Sequence, residues 1–351
     1  MKRALDAFLK FKMQTIVGAI MQIKIISNIH SLEDIRREGL AIDLYKYPKS
    51  KNSIKTILSI FIKSFKYDYI LLNFTTFDVF FLAFLKLIAL FNQCRLVTSD
   101  LILTVPEKSI KGKISQIVKT ILLKKIDFCI VYFKNNQGYR KFYHILPEKL
   151  KYVPYKINSY ELVTKAKITD EGYIFTGGKS RRDFTTLIKA VRELPYPIKI
   201  VTPDNRELFL HGSRLNESNL PPNVKVVHDD GSAESFIKHI AASRLVVLPI
   251  KKENISSSGI GVYIMAMALK KCVIISAGPA IDDLLTADTA IIVPPEDPET
   301  LKAAIEQAYN NDQLRNRIAE NGYNYAISLG GEKRLRESVL DKLYDDFLNW
   351  K

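Results

Sequence analysis

Short apolar runs alternate with amphipathic helical patterns along most of this chain. That alternation predicts an α/β protein with two successive parallel-sheet, Rossmann-like domains and a helical tail. Two further observations support the reading. A length of 351 residues is long for one compact core and comfortable for two. A glycine-rich turn at 177–178 and a serine- and glycine-rich turn at 256–261 each sit between a strand pattern and a helix pattern.

Taken in order, residues 1–20 are basic and apolar. They lack a small-residue cleavage site and a long apolar core, so they read as an extension or a surface-lying amphipathic segment and not as a signal peptide. The first domain is expected over 1–155. Its strands are read at Gln22–Ser27, Leu40–Tyr45, Tyr67–Asn73, Arg95–Ser99, Asp127–Tyr132 and Lys151–Pro154, with helical patterns at 52–65, 77–91, 109–124 and 136–144. The run Val79–Phe91 is the most apolar, broken only by Lys86, and is too short for a bilayer span of about 20 residues. It reads as a buried helix, with a monotopic membrane contact as the alternative.

A polar linker without sustained periodicity is expected at 155–169. The second domain, 156–329, is expected to carry strands near 172–176, 197–202, 223–228, 243–249, 272–276 and 289–293. Its helices are expected near 183–193, 205–212, 233–242, 260–269, 280–286 and 298–309. The tail at 312–350 reads as two or three helices broken at Gly330 and Gly331, and the helix over 330–351 is expected to pack back on the first domain.

Composition narrows the function. Hydrophobic content of 47% and charged content of 25% are ordinary for a globular protein. Cys94, Cys129 and Cys272 match no metal spacing and cannot all pair, which favours a reducing cytoplasm. The net charge of +15 is unevenly placed: residues 1–150 hold 25 Lys and Arg against 11 Asp and Glu, and the remainder 27 against 26. A basic half suits anionic lipid, nucleic acid or a phosphorylated substrate, or is simply a lysine-rich surface. No RNP-like aromatic motif, zinc-finger spacing or arginine-rich tail is present, so nucleic acid ranks low. Lys55, Lys63, Lys66, Lys111 and Lys113 are the cations that would meet an anionic membrane.

The stretch Gly172–Ala190 reads as strand, glycine turn, helix, with Asp183 as N-cap and Lys179, Arg181 and Arg182 in the turn. Gly177 and Gly178 admit close approach, a helix N-terminus offers free N–H groups, and guanidinium groups suit a diphosphate. An ordinary solvated turn is the competing reading. Ser256–Gly261 opens a second helix of the same kind, which alone would mean only tight packing.

These segments resemble the donor domain of GT-B-fold glycosyltransferases, specifically the retaining family 4 group. The resemblance is carried by Phe175–Phe184, by Ser258–Val262 with Ala266–Leu269 and Cys272–Ile275, by Ile291–Leu301 and by Asn311–Gly322, over about 172–329. It implies a GT-B fold whose domains face a cleft. It implies that Lys179 and Arg182, with Arg181 nearby, neutralise a leaving nucleoside diphosphate. Ser258, Gly259 and Gly261 would lie against the donor sugar and distal phosphate, and His228, Asp229 and Asp230 would face the base. The group's two glutamates are replaced by Ser257 and Met265; serine still hydrogen-bonds a sugar, whereas methionine cannot accept from ribose, and Glu253 stands at the wrong spacing to replace either. No histidine follows the strand Arg95–Ser99, so Asp100 is the candidate polar group near the reacting sugar, with His30 the other.

The expectation is a hexosyltransferase moving a sugar from a nucleotide-sugar donor to a lipid-linked or saccharide acceptor, with retention, in surface polysaccharide or glycolipid assembly. It would be cytoplasmic, peripheral on an anionic membrane, and without a metal or other cofactor. A non-catalytic GT-B protein that binds sugar or a partner is the alternative, and a nucleotide-sugar epimerase a third.

Overall fold

The computed structural model describes residues 21–29, 32, 35, 40–46, 53–73, 76–89 and 91–350. The expected 1–20 extension and His30 lie outside them. The chain divides into two compact units. The first holds the described residues up to Leu101, with Glu107–Ile130 and Tyr143–Lys151; the second holds Ile102–Pro106, Val131–Phe142 and Tyr152 onward. Residues 131–142, and the helix over 332–350, group with the second unit.

The first sheet contains β1 (Met21–Ser27), β2 (Leu40–Lys46), β3 (Tyr69–Leu72), β4 (Arg95–Ser99), β5 (Phe128–Val131) and β6 (Leu150–Tyr152), in the order β2-β1-β3-β4-β5-β6. The pairs β1–β2, β1–β3, β3–β4 and β4–β5 are parallel. Strands β3 and β5 are buried along their whole length, as continuous apolar runs in a covered parallel sheet should be. Between strands run α1 (Ser53–Ser64), α2 (Thr76–Ile88) and α3 (Ile110–Leu123), followed by α4 (Gln137–Tyr143). The run Val79–Phe91 falls on α2, which buries Val79, Phe80, Leu82, Ala83 and Leu85 and leaves Phe77, Phe84 and Ile88 exposed. Among the described residues no helix is long and apolar enough to cross a membrane.

The second sheet contains β7 (Ile174–Gly177), β8 (Ile198–Thr202), β9 (Val224–His228), β10 (Leu245–Leu248), β11 (Cys272–Ser276) and β12 (Ile291–Val293), in the order β12-β11-β10-β7-β8-β9. Its pairs are all parallel. From β7 the chain steps outward through β8 to β9, then returns to place β10 on the other side of β7. The strand order therefore reverses between β7 and β10, where doubly wound sheets open a crevice at their carboxyl ends. The helices are α5 (Tyr160–Lys165), α6 (Phe184–Val191), α7 (Asn205–Leu210), α8 (Ala233–Ala241), α9 (Ile260–Ala268), α10 (Pro298–Asn310), α11 (Asp312–Leu329) and α12 (Glu332–Trp350). Phe184, Leu187, Val191 and Leu194 pack with Ile198, Ile200, Leu245, Val247 and Ile305 in one core. All three cysteines are buried free thiols; burial pushes Cys129 up to about 11 and Cys94 and Cys272 up to about 12, so none is poised as a nucleophile.

Two local expectations are corrected. The helix expected at 280–286 is a series of turns. Asp283 adopts φ +60°, which interrupts a helix, and its carbonyl accepts from the Lys134 ammonium. The expected linker contains α5, which buries only Val163, too little apolar patterning to register as a period. With Phe184 at the centre of the second core, Phe184→Ala should cost about 3–5 kcal/mol in denaturant unfolding, with secondary structure retained at low denaturant.

Candidate donor site

The loops after β7 and β10 meet at the strand reversal. Asp183 caps α6: its Oδ1 accepts from the Thr186 amide at 3.0 Å and its Oδ2 from the Thr186 hydroxyl at 2.6 Å. The Asp183 amide donates to the Pro249 carbonyl, the Lys251 amide donates to the Arg181 carbonyl, and Arg182 forms an antiparallel bridge with Ile250. The two loops are thereby fastened backbone to backbone.

Between them lies Arg182, 2% exposed and among the largest fully buried side chains. Its Nε donates to the Gly177 carbonyl at 2.7 Å, and its Nη1 to the Ser180 carbonyl at 2.9 Å. No carboxylate pairs with it among the described residues. Burial pulls its pKa down to about 10, so it stays charged at neutral pH. A buried cation held only by carbonyl dipoles is incompletely compensated, and an anion would complete it. Gly178 has φ +89°, and a Cβ there would stand 2.7 Å from Arg182 Nη2. Gly259, the N-cap of α9, has φ +95°, with its Cβ position 3.8 Å from Nη1 and 3.3 Å from Ile250. Two glycines in left-handed conformation thus make room for the guanidinium, and two helix N-termini converge on it.

The structure distributes the other expected residues unevenly. Gly177 is buried at the end of β7. Lys179 is exposed and paired with Glu207 at 3.0 Å. Arg181 adopts φ +55°, a conformation costing a non-glycine residue about 1–3 kcal/mol, and packs its guanidinium over Gly212. Ser257 and Ser258 are buried, and Gly261 lies in the first turn of α9, its Cβ position 2.7 Å from Asn158 Nδ2. Met265 is buried within α9, a core side chain, and Glu253 is exposed on the preceding loop. His228 and Asp229 lie at the end of edge strand β9, two strands and about 10 Å from β7. His228 Nε2 is 3.2 Å from Glu217, and Asp229 accepts from the Gly231 amide. Asp100 belongs to the first unit, ending β4 at φ +58° with its amide on the Ile130 carbonyl.

Two supporting residues are not legible as site residues in the sequence. The fully buried Ser213 hydroxyl accepts from the Arg182 amide at 2.8 Å and donates to the Lys179 carbonyl at 2.6 Å. Asn254 Oδ1 accepts from the Ser256 amide and from the Ser256 and Ser258 hydroxyls, while its Nδ2 donates to the Ser256 carbonyl. An asparagine two residues before a serine cluster is a recognisable turn signal; nothing in the neighbourhood of Ser213 announces its role. Among the described residues no group of three or more His, Cys, Asp or Glu is arranged to hold a metal ion.

Gly178→Ala should cost about 1–3 kcal/mol from its positive φ and displace the guanidinium, weakening pyrophosphate binding by about tenfold or more in calorimetry while the fold persists. The hydrogen bond to Glu217 holds the His228 pKa above its ordinary value. Its small contribution to stability is therefore complete below about pH 6.5 and lost as pH rises through the raised value. Proton NMR titration should show that value falling in Glu217→Gln.

Comparisons with known proteins agree with this architecture. No curated protein matches the sequence. The family described as glycosyl transferases group 1 matches residues 171–325. Among solved structures, sucrose-phosphate synthase from Thermosynechococcus elongatus is similar at TM-score 0.65 and 14% identity, covering 94% of this chain and 100% of that one. A glycosyltransferase from Rickettsia africae is similar at TM-score 0.61 and 15% identity, covering 93% and 90%. Anabaena HepE in complex with UDP and glucose is similar at TM-score 0.59 and 17% identity, covering 89% and 88%. Two parallel sheets with their helices and a helical C-terminal segment make the GT-B fold. Residues 171–325 match the glycosyl transferases group 1 family, and the chain has the GT-B fold that these solved structures share.

Proposed function

We propose that this protein moves a sugar from a nucleotide-sugar donor to an acceptor hydroxyl with retention of anomeric configuration, at the cytoplasmic face of a membrane bearing anionic lipid. The acceptor is lipid-linked or a saccharide, in surface polysaccharide or glycolipid assembly, and neither a metal nor any other cofactor is needed. The observation that carries the donor assignment is Arg182: a buried guanidinium without a carboxylate partner among the described residues, between the starts of α6 and α9. As the glycosidic bond breaks, charge collects on the diphosphate. Arg182 and the two helix N-termini would stabilise it, with Lys179 and Arg181 adding further positive charge nearby. The diphosphate itself takes the acceptor proton, so no strong enzymic base is required. Ser258, Gly259 and Gly261 bound the sugar end, His228 and Asp229 the base end, and Asp100 is the polar group assigned to the reacting sugar.

A second reading, a non-catalytic sugar- or partner-binding protein, is favoured by Met265, buried where the resemblance calls for a ribose-binding glutamate. A thermal-shift screen against nucleoside diphosphates separates the two. UDP is the first ligand to test, because HepE was solved with it. At a ligand concentration of about 100 times Kd, stabilisation should approach about 2.7 kcal/mol, and Tm should rise by roughly 2–4 °C per kcal/mol. The shift should be lost in Arg182→Ala and weakened in Arg182→Lys. Absence of any shift in the folded wild type would move the assignment to the binding-protein reading. With donor and acceptor supplied, NMR of the product's anomeric proton tests retention.

A further inference from the structure

The three helices α1, α2 and α3 form one layer. Helix α1 crosses from β2 to β3, α2 joins β3 to β4, and α3 joins β4 to β5. These steps run in one direction across the sheet, and right-handed crossovers put all three helices on the same face. They pack in sequence, α1 on α2 and α2 on α3.

The outer surface of this layer is unusual for an exposed one. Of the 14 residues of α3, only Leu122 and Leu123 are buried. Ile110, Ile114, Ile117, Val118 and Ile121 recur at helical spacing and are 44–78% exposed. Ile54, Leu58, Ile62 and Phe65 make a similar row on and just after α1, and Phe77, Phe84 and Ile88 project from α2. The charge around these rows is predominantly positive, Glu107 just before α3 being an exposed carboxylate beside them. Residues 108–125 contain six lysines and no carboxylate, and residues 53–66 contain Lys55, Lys63 and Lys66 and no carboxylate. Asp78, the acidic residue of α2, is buried. A solvated helix ordinarily alternates charges of both signs. Rows of isoleucine and phenylalanine flanked mainly by lysine match an interface that is apolar within and anionic at its rim.

We infer that the outer face of α1–α3 seats on an anionic lipid bilayer, with the α3 isoleucines entering the acyl boundary and the lysines meeting headgroup phosphates. This rests on the membrane part of the reading above and names its surface; it is independent of the donor site, which lies in the second unit. A protein partner of acidic surface is less well matched, because the row on α3 is aliphatic and continuous, with no polar anchor interleaved on the exposed face.

The test is flotation of the full chain with phosphatidylcholine vesicles and with vesicles containing about one-third phosphatidylglycerol. Wild type should float with the anionic vesicles only, and less as salt rises. Ile114→Ser/Ile117→Ser/Ile121→Ser, which leaves charge unchanged, should lower partitioning by about tenfold or more. Lys111→Glu/Lys113→Glu should lower it as well. Circular dichroism and the nucleotide thermal shift of the serine variant should match wild type, so failure at the donor site and failure at this face are read separately. The inference is overturned if wild type does not float or if the serine variant floats equally. It is also overturned if a concentration-dependent dimer, abolished by the serine changes, covers the face instead, or if wild type floats only after residues 1–20 are deleted.

Discussion

A guanidinium buried among carbonyls, with no carboxylate beside it among the described residues, is the interaction on which the ligand-side loops of the second unit depend. Removing a cation from water costs free energy, and carbonyl dipoles offset part of that cost. The arrangement persists because the backbone around Arg182 is fixed elsewhere: by the bridge to Ile250, by the Asp183 amide on Pro249, and by Ser213 under the Arg182 amide. The same residues that hold the cation also hold the two loops together. In the proposed transfer, such preorganisation is what would let the site stabilise charge on a departing diphosphate.

Sheet topology explains why the site is where it is. At the reversal between β7 and β10 two adjacent strands send their chains in opposite directions across the sheet, leaving a gap into which two helix starts point. Glycine at 178 and at 259 keeps that gap open at the guanidinium, since a Cβ at 178 would collide with it.

The two units divide the physical work differently. The second is nearly neutral in charge and places Gly178, Arg181 and Gly259, all at positive φ, around the buried Arg182. The first carries the excess of lysine and leaves apolar rows of α1–α3 in contact with solvent. Charge asymmetry is plain from residue counts. That the isoleucines of α3 face outward is not, because a row at helical spacing reads identically whether it packs on a sheet or away from one.

The order of residues is enough to establish the alternation of strands and helices, the glycine turn, the Asp183 cap and the concentration of cations after β7. Each rests on interactions between residues close along the chain, and such interactions leave a period or a turn signature. Which cations are buried is settled by packing. Lys179, Arg181 and Arg182 are indistinguishable as a run, yet one pairs with Glu207 in solvent, one lies over Gly212 and one is enclosed. Packing also keeps 280–286 from winding into a helix, because Lys134 takes the carbonyl of Asp283 from far along the chain. It makes Ser213 a support and sets Met265 in the core. These outcomes depend on partners distant in sequence, and the identity of such a partner is fixed only when the sheet order brings it near.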